Sequence, residues 1–545
     1  MNSETNMSAK LVEVSGIGIG RGIGIGRIQI LNDTFVEPGT EASNKTAEEE
    51  KSRLSAAMQA VSDNLKARSE MAEGEAQEIL LATVEISSDP EIFDQAVEKI
   101  QSGLTAERAI FDSFHGFIEM IKPLGGYFAE RVADLEDVAK RIVQQLDGTG
   151  GEGLGLDGPE PVIVIAQDLS PADTATFDAT KIAGMVTVQG GTTSHTAILA
   201  GLKGIPALVG ASDAMELQDG VLAILYAADG KLRLNPSEAE LTEARERIAK
   251  RAELAKNTEP GQLADGTMIP LLANIGGPGD CAPALALGAE GVGLFRTEFL
   301  FLDSAVQPTV DEQYEQYKQV LAAFPKQKVV VRLLDAGSDK PMAFLPEQNE
   351  ENPALGLRGI RMLREFEGLL ESQLEALARA DAETESDLWV MAPMIADLAD
   401  TEYFVNRAKS YGLKMVGVMA EIPSSAVMAD QIATVADFIS IGTNDLTQYT
   451  LAADRMLGTV ERYNDSGHPA VLRLIKMICD GAAASGKPVS VCGEAGGDPR
   501  LAVILVGLGV TSLSMSAHSI ADVREALRSH TLEEAQALAK AALQN

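Results

Sequence analysis

Apolar residues recur along this chain in three patterns. Between residues 11 and 31, "LVEVSGIGIGRGIGIGRIQIL" sets glycine against isoleucine at every second position. A period of two with interleaved glycine predicts short strands that approach a neighbouring backbone closely. From about 45 to 147 the spacing becomes helical. "TAEEEKSRLSAAMQAVSDNLKARSEM", "DPEIFDQAVEKIQ", "LTAERAIFDSFHGFIEMI" and "YFAERVADLEDVAKRIVQQL" are charged segments with few internal prolines. Four helices or more are expected there. Strand-like runs return at "PVIVIA", "IAGMVTVQ", "IPALVG", "GVLAILYA" and "KLRLN", followed by a charged helix, "PSEAELTEARERIAKRAELAKN".

In the third pattern, strands alternate with helical segments to the end of the chain. Eight strands are expected: "TMIPLLANI", "GVGLFR", "KVVVRLLD", "DLWVMAPMI", "MVGVMAEI", "DFISIG", "PVSVCGE" and "SLSMSA". That number matches a (β/α)8 barrel; a doubly wound sheet, the alternative, does not require eight repeats. The expected fold class is α/β. An N-terminal α/β domain (1–35 and 155–235) is interrupted by an all-helical insert (36–154). A linker helix (236–260) leads to the C-terminal (β/α)8 barrel (261–545).

The chain's 545 residues exceed one ordinary core, and 45% hydrophobic content suits a globular protein. A net charge of −35 argues against duplex nucleic acid as a partner, because neutralising phosphates needs a basic surface. The charge fits a solubilising surface, a field steering a basic protein partner, or a high-salt habitat. Cys281, Cys479 and Cys492 form neither a disulfide framework nor a zinc motif, which points to a reducing compartment. "MNSETNMSAK" has no apolar signal core, and no run of 18 apolar residues could span a membrane, so a cytoplasmic location is expected. "DGTGGEGLGLDGPEP" contains G-x-G-x-x-G twice, but a helix precedes it and a strand follows. A dinucleotide loop needs the reverse order, so the stretch reads as a linker.

Chemistry gathers at the strand ends, which share one face in a barrel. Arg296 ends the second strand, Arg332 and Asp335 the third, Glu421 the fifth. Asn444 and Asp445 follow the sixth, with Arg455 beyond, and Cys492 and Glu494 end the seventh. Arg358 lies between the third and fourth strands. Arginines grip phosphate and carboxylate in bidentate fashion, so four of them at one mouth imply a small, multiply anionic substrate. Glu421 and Asp445 are hard oxygen ligands suited to Mg²⁺ shared with substrate oxygens. Any one strand-end arginine also fits a salt-bridge role. Cys492 reads either as a proton donor or as a small buried hydrophobe.

His195, in "GGTTSHTAILA", falls where a strand ending in Gly-Gly gives way to an apolar helix. Orphan N–H groups and the positive dipole end favour an anion there. Two readings follow: an imidazole that carries a phosphoryl group, or a histidine capping its own turn beside threonine N-caps.

"GGTTSHTAI", "GLFRTEFLFLD", "GLRGIR", "AEIPSSAVMAD", "DFISIGTNDLTQYTLAADR", "GHPAVLRLIKM" and "VCGEAGGDP" together resemble the enzyme I family of the bacterial phosphotransferase system, over nearly the whole chain. The resemblance implies a phosphoenolpyruvate–protein phosphotransferase for sugar uptake, with a swivelling domain that carries phosphorylated His195. Arg296, Arg332 and Arg455 would then hold the phosphate of phosphoenolpyruvate, with Arg358 close by and Asn444 on the substrate. Glu421 and Asp445 would bind Mg²⁺, and Cys492 would protonate the enolate to release pyruvate. The helical insert would dock the phosphocarrier protein HPr, and the barrel would make a homodimer. Three departures from the family stand out: Gly20-Arg21 for Ser-Pro, "DAGSDK" (Ala336, Ser338) for "DIGGDK", and Thr192 for an arginine. A phosphoenolpyruvate synthase or pyruvate phosphate dikinase needs a nucleotide-binding domain for which this chain has no room. A regulatory phosphorelay scaffold or a nitrogen-type phosphotransferase component is the remaining alternative.

Overall fold

The glycine–isoleucine run folds as three strands whose glycines admit neighbouring backbone. A Cβ at Gly24 would lie 2.0 Å from the Ala183 carbonyl oxygen, and one at Gly18 1.7 Å from that of Ala227. The computed structural model describes residues 13–31, 37–69, 83–121, 126–148, 160–169, 180–191, 196–197, 200–201, 204–301, 304, 306–337, 342, 344–346, 350–455 and 457–544. Contacts divide the chain into two units, 1–248 and 249–545.

The first unit contains an eight-stranded sheet. Its strands are β1 (Glu13–Ser15), β2 (Ile17–Ile19), β3 (Ile23–Ile30), β4 (Val162–Ala166), β5 (Ile182–Thr187), β6 (Ala207–Val209), β7 (Leu222–Tyr226) and β8 (Lys231–Leu234). Their order is β1-β8-β7-β3-β4-β5-β6-β2. The run β3 to β6 is parallel, and the flanking pairs are antiparallel. Helices Ala47–Ser69, Pro90–Gln101, Ala106–Ile121 and Gly126–Asp147 lie between β3 and β4 in the chain. They share a separate core that includes Leu54, Leu65, Ile92, Ile110, Phe114 and Ile142. Asp89 starts the second of these helices by accepting from the backbone N–H groups of Glu91 and Ile92, ahead of Pro90 at the first helical position. In helix Glu238–Ala255 only Leu241 and Ala244 are buried, in keeping with its charged sequence.

In the second unit, all eight expected strands form one closed parallel barrel: β9 (Leu271–Ile275), β10 (Gly291–Arg296), β11 (Lys328–Arg332), β12 (Asp387–Ala392), β13 (Met415–Ala420), β14 (Ile439–Ile441), β15 (Val489–Val491) and β16 (Ser512–Met515). The doubly wound alternative is excluded. Alternation along each strand divides the side chains between two packings. Val329, Val331, Ile439 and Ile441 join the large core that also includes helix residues. Leu294, Val330, Met391, Met419, Phe438 and Cys492 form a separate cluster, the filling of a barrel lumen. Among the described residues, no helix is long and apolar enough to cross a membrane.

Candidate active site

Parallel strands end at one rim, and the residues singled out in the sequence stand just past those ends. Arg296 and Arg332 are the last residues of β10 and β11, and Glu421 and Cys492 immediately follow β13 and β15. Asn444 and Asp445 open helix Thr443–Leu451, which starts two residues after β14. Gly442 permits that turn, because a Cβ there would lie 2.6 Å from Glu421 Oε2.

The arginines are not scattered. They alternate with carboxylates in a buried ladder. Glu298 Oε1 lies 2.6 Å from Arg332 Nη2, and Arg332 Nη1 lies 3.3 Å from Asp335 Oδ2. Asp335 accepts a forked pair from Arg358, with Nε to Oδ1 at 3.0 Å and Nη2 to Oδ2 at 2.9 Å. Arg358 Nη1 then donates to Asp445 Oδ1 at 2.9 Å, and Arg455 Nη1 donates to Asp445 Oδ2 at 3.2 Å. Arg358 is 1% exposed and Asp335 0%, so their charges depend on this mutual pairing. Tyr449 extends the network. Its hydroxyl accepts from Arg358 Nη1 and donates to the Ala354 carbonyl.

Burial and pairing move the titrations apart. Burial pulls the Arg332 guanidinium down, but Glu298 and Asp335 outweigh it and hold the pKa above its usual range. For Asp445, burial favours the neutral acid, yet Arg455 and Arg358 hold the carboxyl below the ordinary range. Glu421 goes the other way. Burial, and then the neighbouring Asp445 charge, push its carboxyl well up. Its Oε1 accepts the Met394 N–H at 2.6 Å. Four guanidiniums (296, 332, 358, 455) thus meet four carboxylates (298, 335, 421, 445). Glu494, on Asn444, adds a fifth carboxylate beside Arg296, so the mouth has no surplus of positive charge even when Glu421 is protonated.

Arg296 is exposed at the rim and has no ion-pair partner among the described residues. Asn444 is held at both ends by Glu494, donating from Nδ2 to Oε1 at 3.1 Å and accepting the Glu494 N–H at 3.0 Å. Among the described residues the second Nδ2 hydrogen has no partner and is available to a ligand. Cys492 is 2% exposed, and burial pushes its thiol up to about 11 against the opposing pull of Ser440 and Arg332. The group is therefore a thiol at neutral pH, and both sequence readings, acid and packed hydrophobe, describe its surroundings. His195 lies outside the described residues, as do Thr192, Thr193 and Ser194. So does Ser338, and the linker reading of the Gly-rich stretch falls outside them over 149–159. Gly20 occupies a turn with φ +74°, and Ala336 is fully buried beside Asp335.

Sequence reasoning gave no role to Glu298, Asp335 or Tyr449, and none to Ser440 or Asn274. Glu298 and Asp335 stand two and three residues past the strand-ending arginines, the one signal that could have marked them as partners.

Three domain families match consecutive regions: "PEP-utilising enzyme, N-terminal" over residues 15–131, "mobile domain" over 158–230 and "PEP-binding domain" over 250–532. A phosphoenolpyruvate-protein phosphotransferase of Streptomyces coelicolor is 46% identical over 97% of this chain and 95% of its own length. Proteins with the same description from Haloferax volcanii and Bacillus subtilis are 41% and 38% identical. They cover 85% and 96% of this chain, and 84% and 95% of their own lengths.

Proposed function

The chain belongs to the phosphoenolpyruvate–protein phosphotransferases, enzymes that move a phosphoryl group from phosphoenolpyruvate to protein, and from that premise we propose how its residues divide the reaction. Arg296, Arg332 and Arg455 hold the phosphate, and Asn444 contacts the substrate. Arg358, buried at the ladder's centre, fixes the carboxylates on either side of it. His195 attacks phosphorus: an N–P bond forms, the bridging P–O bond breaks, and the enolate of pyruvate remains. Cys492 then gives its proton to the enolate carbon, which releases pyruvate. The phosphoryl group passes from His195 to HPr, docked on the helical insert over 36–154. This transfer brings the domain of His195 to the barrel mouth and away again. The enzyme works in the cytoplasm as a barrel-mediated homodimer.

Glu421 and Asp445 fit a Mg²⁺ ion. They are hard oxygen donors, and burial, then the Asp445 charge, pushes Glu421 toward its neutral form, which a cation would reverse. Asp445 already accepts from two arginines, so it would offer its remaining lone pairs. The ion would supply charge neutralisation at substrate oxygens.

The observation that carries this reading is the alternating buried ladder, with an arginine at its rim that has no ion-pair partner among the described residues. In a water-poor mouth, positive groups fixed before binding need little reorganisation to stabilise charge on the transferring phosphoryl group. Incubating the full chain with labelled phosphoenolpyruvate should place acid-labile phosphate on a peptide containing His195 and chase it onto HPr. His195→Ala should bind phosphoenolpyruvate but transfer nothing. Label reaching HPr in that variant would refute the assignment. Label refused by HPr but taken by a nitrogen-type carrier would redirect the pathway.

A further inference from the structure

The barrel lumen holds a hydroxyl that apolar packing does not explain. Ser440 sits in β14 between Ile439 and Ile441, which face the outer core, and is itself fully buried. Its strand neighbours in register are Met419 and Ser490. Burying a hydroxyl without a strong partner costs stability. The partner found is the Cys492 sulfur, with Ser440 Oγ donating across 3.3 Å. The thiol points its own proton at the Ile441 carbonyl, 3.6 Å away. A second fixture holds the cysteine backbone: Asn274 Nδ2 donates to the Cys492 carbonyl at 2.9 Å. Ser514 Oγ in turn donates to Asn274 Oδ1 at 2.6 Å. Residues from β9, β14 and β16 thus fix one thiol at the end of β15.

We propose that Ser440 is the positioning residue for the protonation that ends the reaction, orienting the Cys492 thiol and stabilising the thiolate it becomes. This rests on Cys492 being the acid. When the S–H bond breaks and the C–H bond forms at the enolate carbon, the enolate becomes the ketone. Sulfur keeps the electron pair in a buried site, and solvent later returns the proton. The thiolate is then the costly species, and the Ser440 O–H is the one side-chain donor already aimed at it among the described residues. A hydrogen bond to a charged atom is stronger than one to a neutral atom. The serine therefore gains its full strength only as the proton leaves, which lowers the barrier to that step.

The test uses phosphoenolpyruvate labelled stereospecifically at C3 in D₂O, with the full-length chain and its Ser440→Ala, Ser440→Thr and Cys492→Ser variants. If sulfur delivers the proton to one face, the parent chain gives pyruvate of a single methyl configuration. Ser440→Ala should still form phosphohistidine but release pyruvate about tenfold more slowly, with the methyl configuration largely randomised by protonation in solution. Ser440→Thr, which keeps the hydroxyl, should restore configuration. A merely structural loss would lower the amount of active protein without randomising the product. Retained configuration in Ser440→Ala, alongside randomisation in Cys492→Ser, would overturn the role of Ser440. Retained configuration in Cys492→Ser would instead overturn the reading of Cys492 on which it rests.

Discussion

Arg358 shows how much one side chain can hold in place. It is nearly inaccessible, forks onto Asp335 and reaches Asp445 and Tyr449 with one further nitrogen. Arg358→Ala would leave Asp335 and Asp445 with one arginine each, Arg332 and Arg455, and breaking buried pairings of this kind typically costs about 3–5 kcal/mol. Chemical denaturation should show that loss, and Asp335→Asn combined with Arg358→Ala should recover part of it. A loss no larger than that of an exposed pair, under about 1 kcal/mol, would remove Arg358 from the ladder's centre. Glu421 makes a prediction in pH. Its carboxyl is raised in the folded chain, first by burial and then by Asp445. Above the ordinary carboxylate range the unfolded chain has lost this proton while the native chain keeps it. The native state then binds more protons, and stability falls as pH rises toward the folded pKa. Glu421→Gln can keep the bond to the Met394 N–H and lacks that slope. Without metal, its unfolding midpoint should gain on the parent's between the ordinary carboxylate range and about pH 8. Added Mg²⁺ should raise the parent's midpoint and not the variant's. Parallel pH profiles would mean that Glu421 carries no strained charge.

At the scale of elements, the glycines of the first strands separate two reasons for the same residue. Gly24 in β3 leaves no room, with a Cβ only 2.0 Å from the Ala183 oxygen, whereas Gly20 has φ +74° and open space around it. Gly24→Ala must push backbone apart and should cost more than the roughly 1–3 kcal/mol of ordinary overpacking. Gly20→Ala meets only the left-handed penalty, about 1–2 kcal/mol. Thermal melting of the two variants should separate them, and equal shifts would contradict the close approach. That approach was legible in the sequence, because glycine at alternate strand positions has few other uses. The eight barrel strands were equally legible, since strands covered on both faces read as short apolar runs, even at the three residues of β14 and β15. The site was only half legible. Arg296, Arg332, Glu421 and Cys492 show themselves by standing at strand ends. Glu298 belongs to a short 3₁₀ turn, and Tyr449 lies seven residues into a helix-forming stretch, where no periodicity marks a hydrogen bond to Arg358 across 91 residues. Ser440 was hidden for the opposite reason, as one polar residue in a run that the apolar pattern already explained.

At the scale of the whole molecule, the second unit has a closed sheet and a core of its own. Residues 249–545 expressed alone should therefore unfold in one cooperative transition and bind phosphoenolpyruvate, yet form no phosphohistidine, because His195 is absent. Calorimetry with and without phosphoenolpyruvate checks this, and a fragment that neither melts cooperatively nor binds would contradict an autonomous barrel. The ladder itself has a further consequence, for inheritance. Asp335 and Asp445 are each shared by two arginines, and Arg332 and Arg358 each by two carboxylates. Changing an inner rung removes two pairings at once, so a lone substitution is purged even where a matched pair would be tolerated. In descendants of this sequence the inner rungs should therefore change together or not at all.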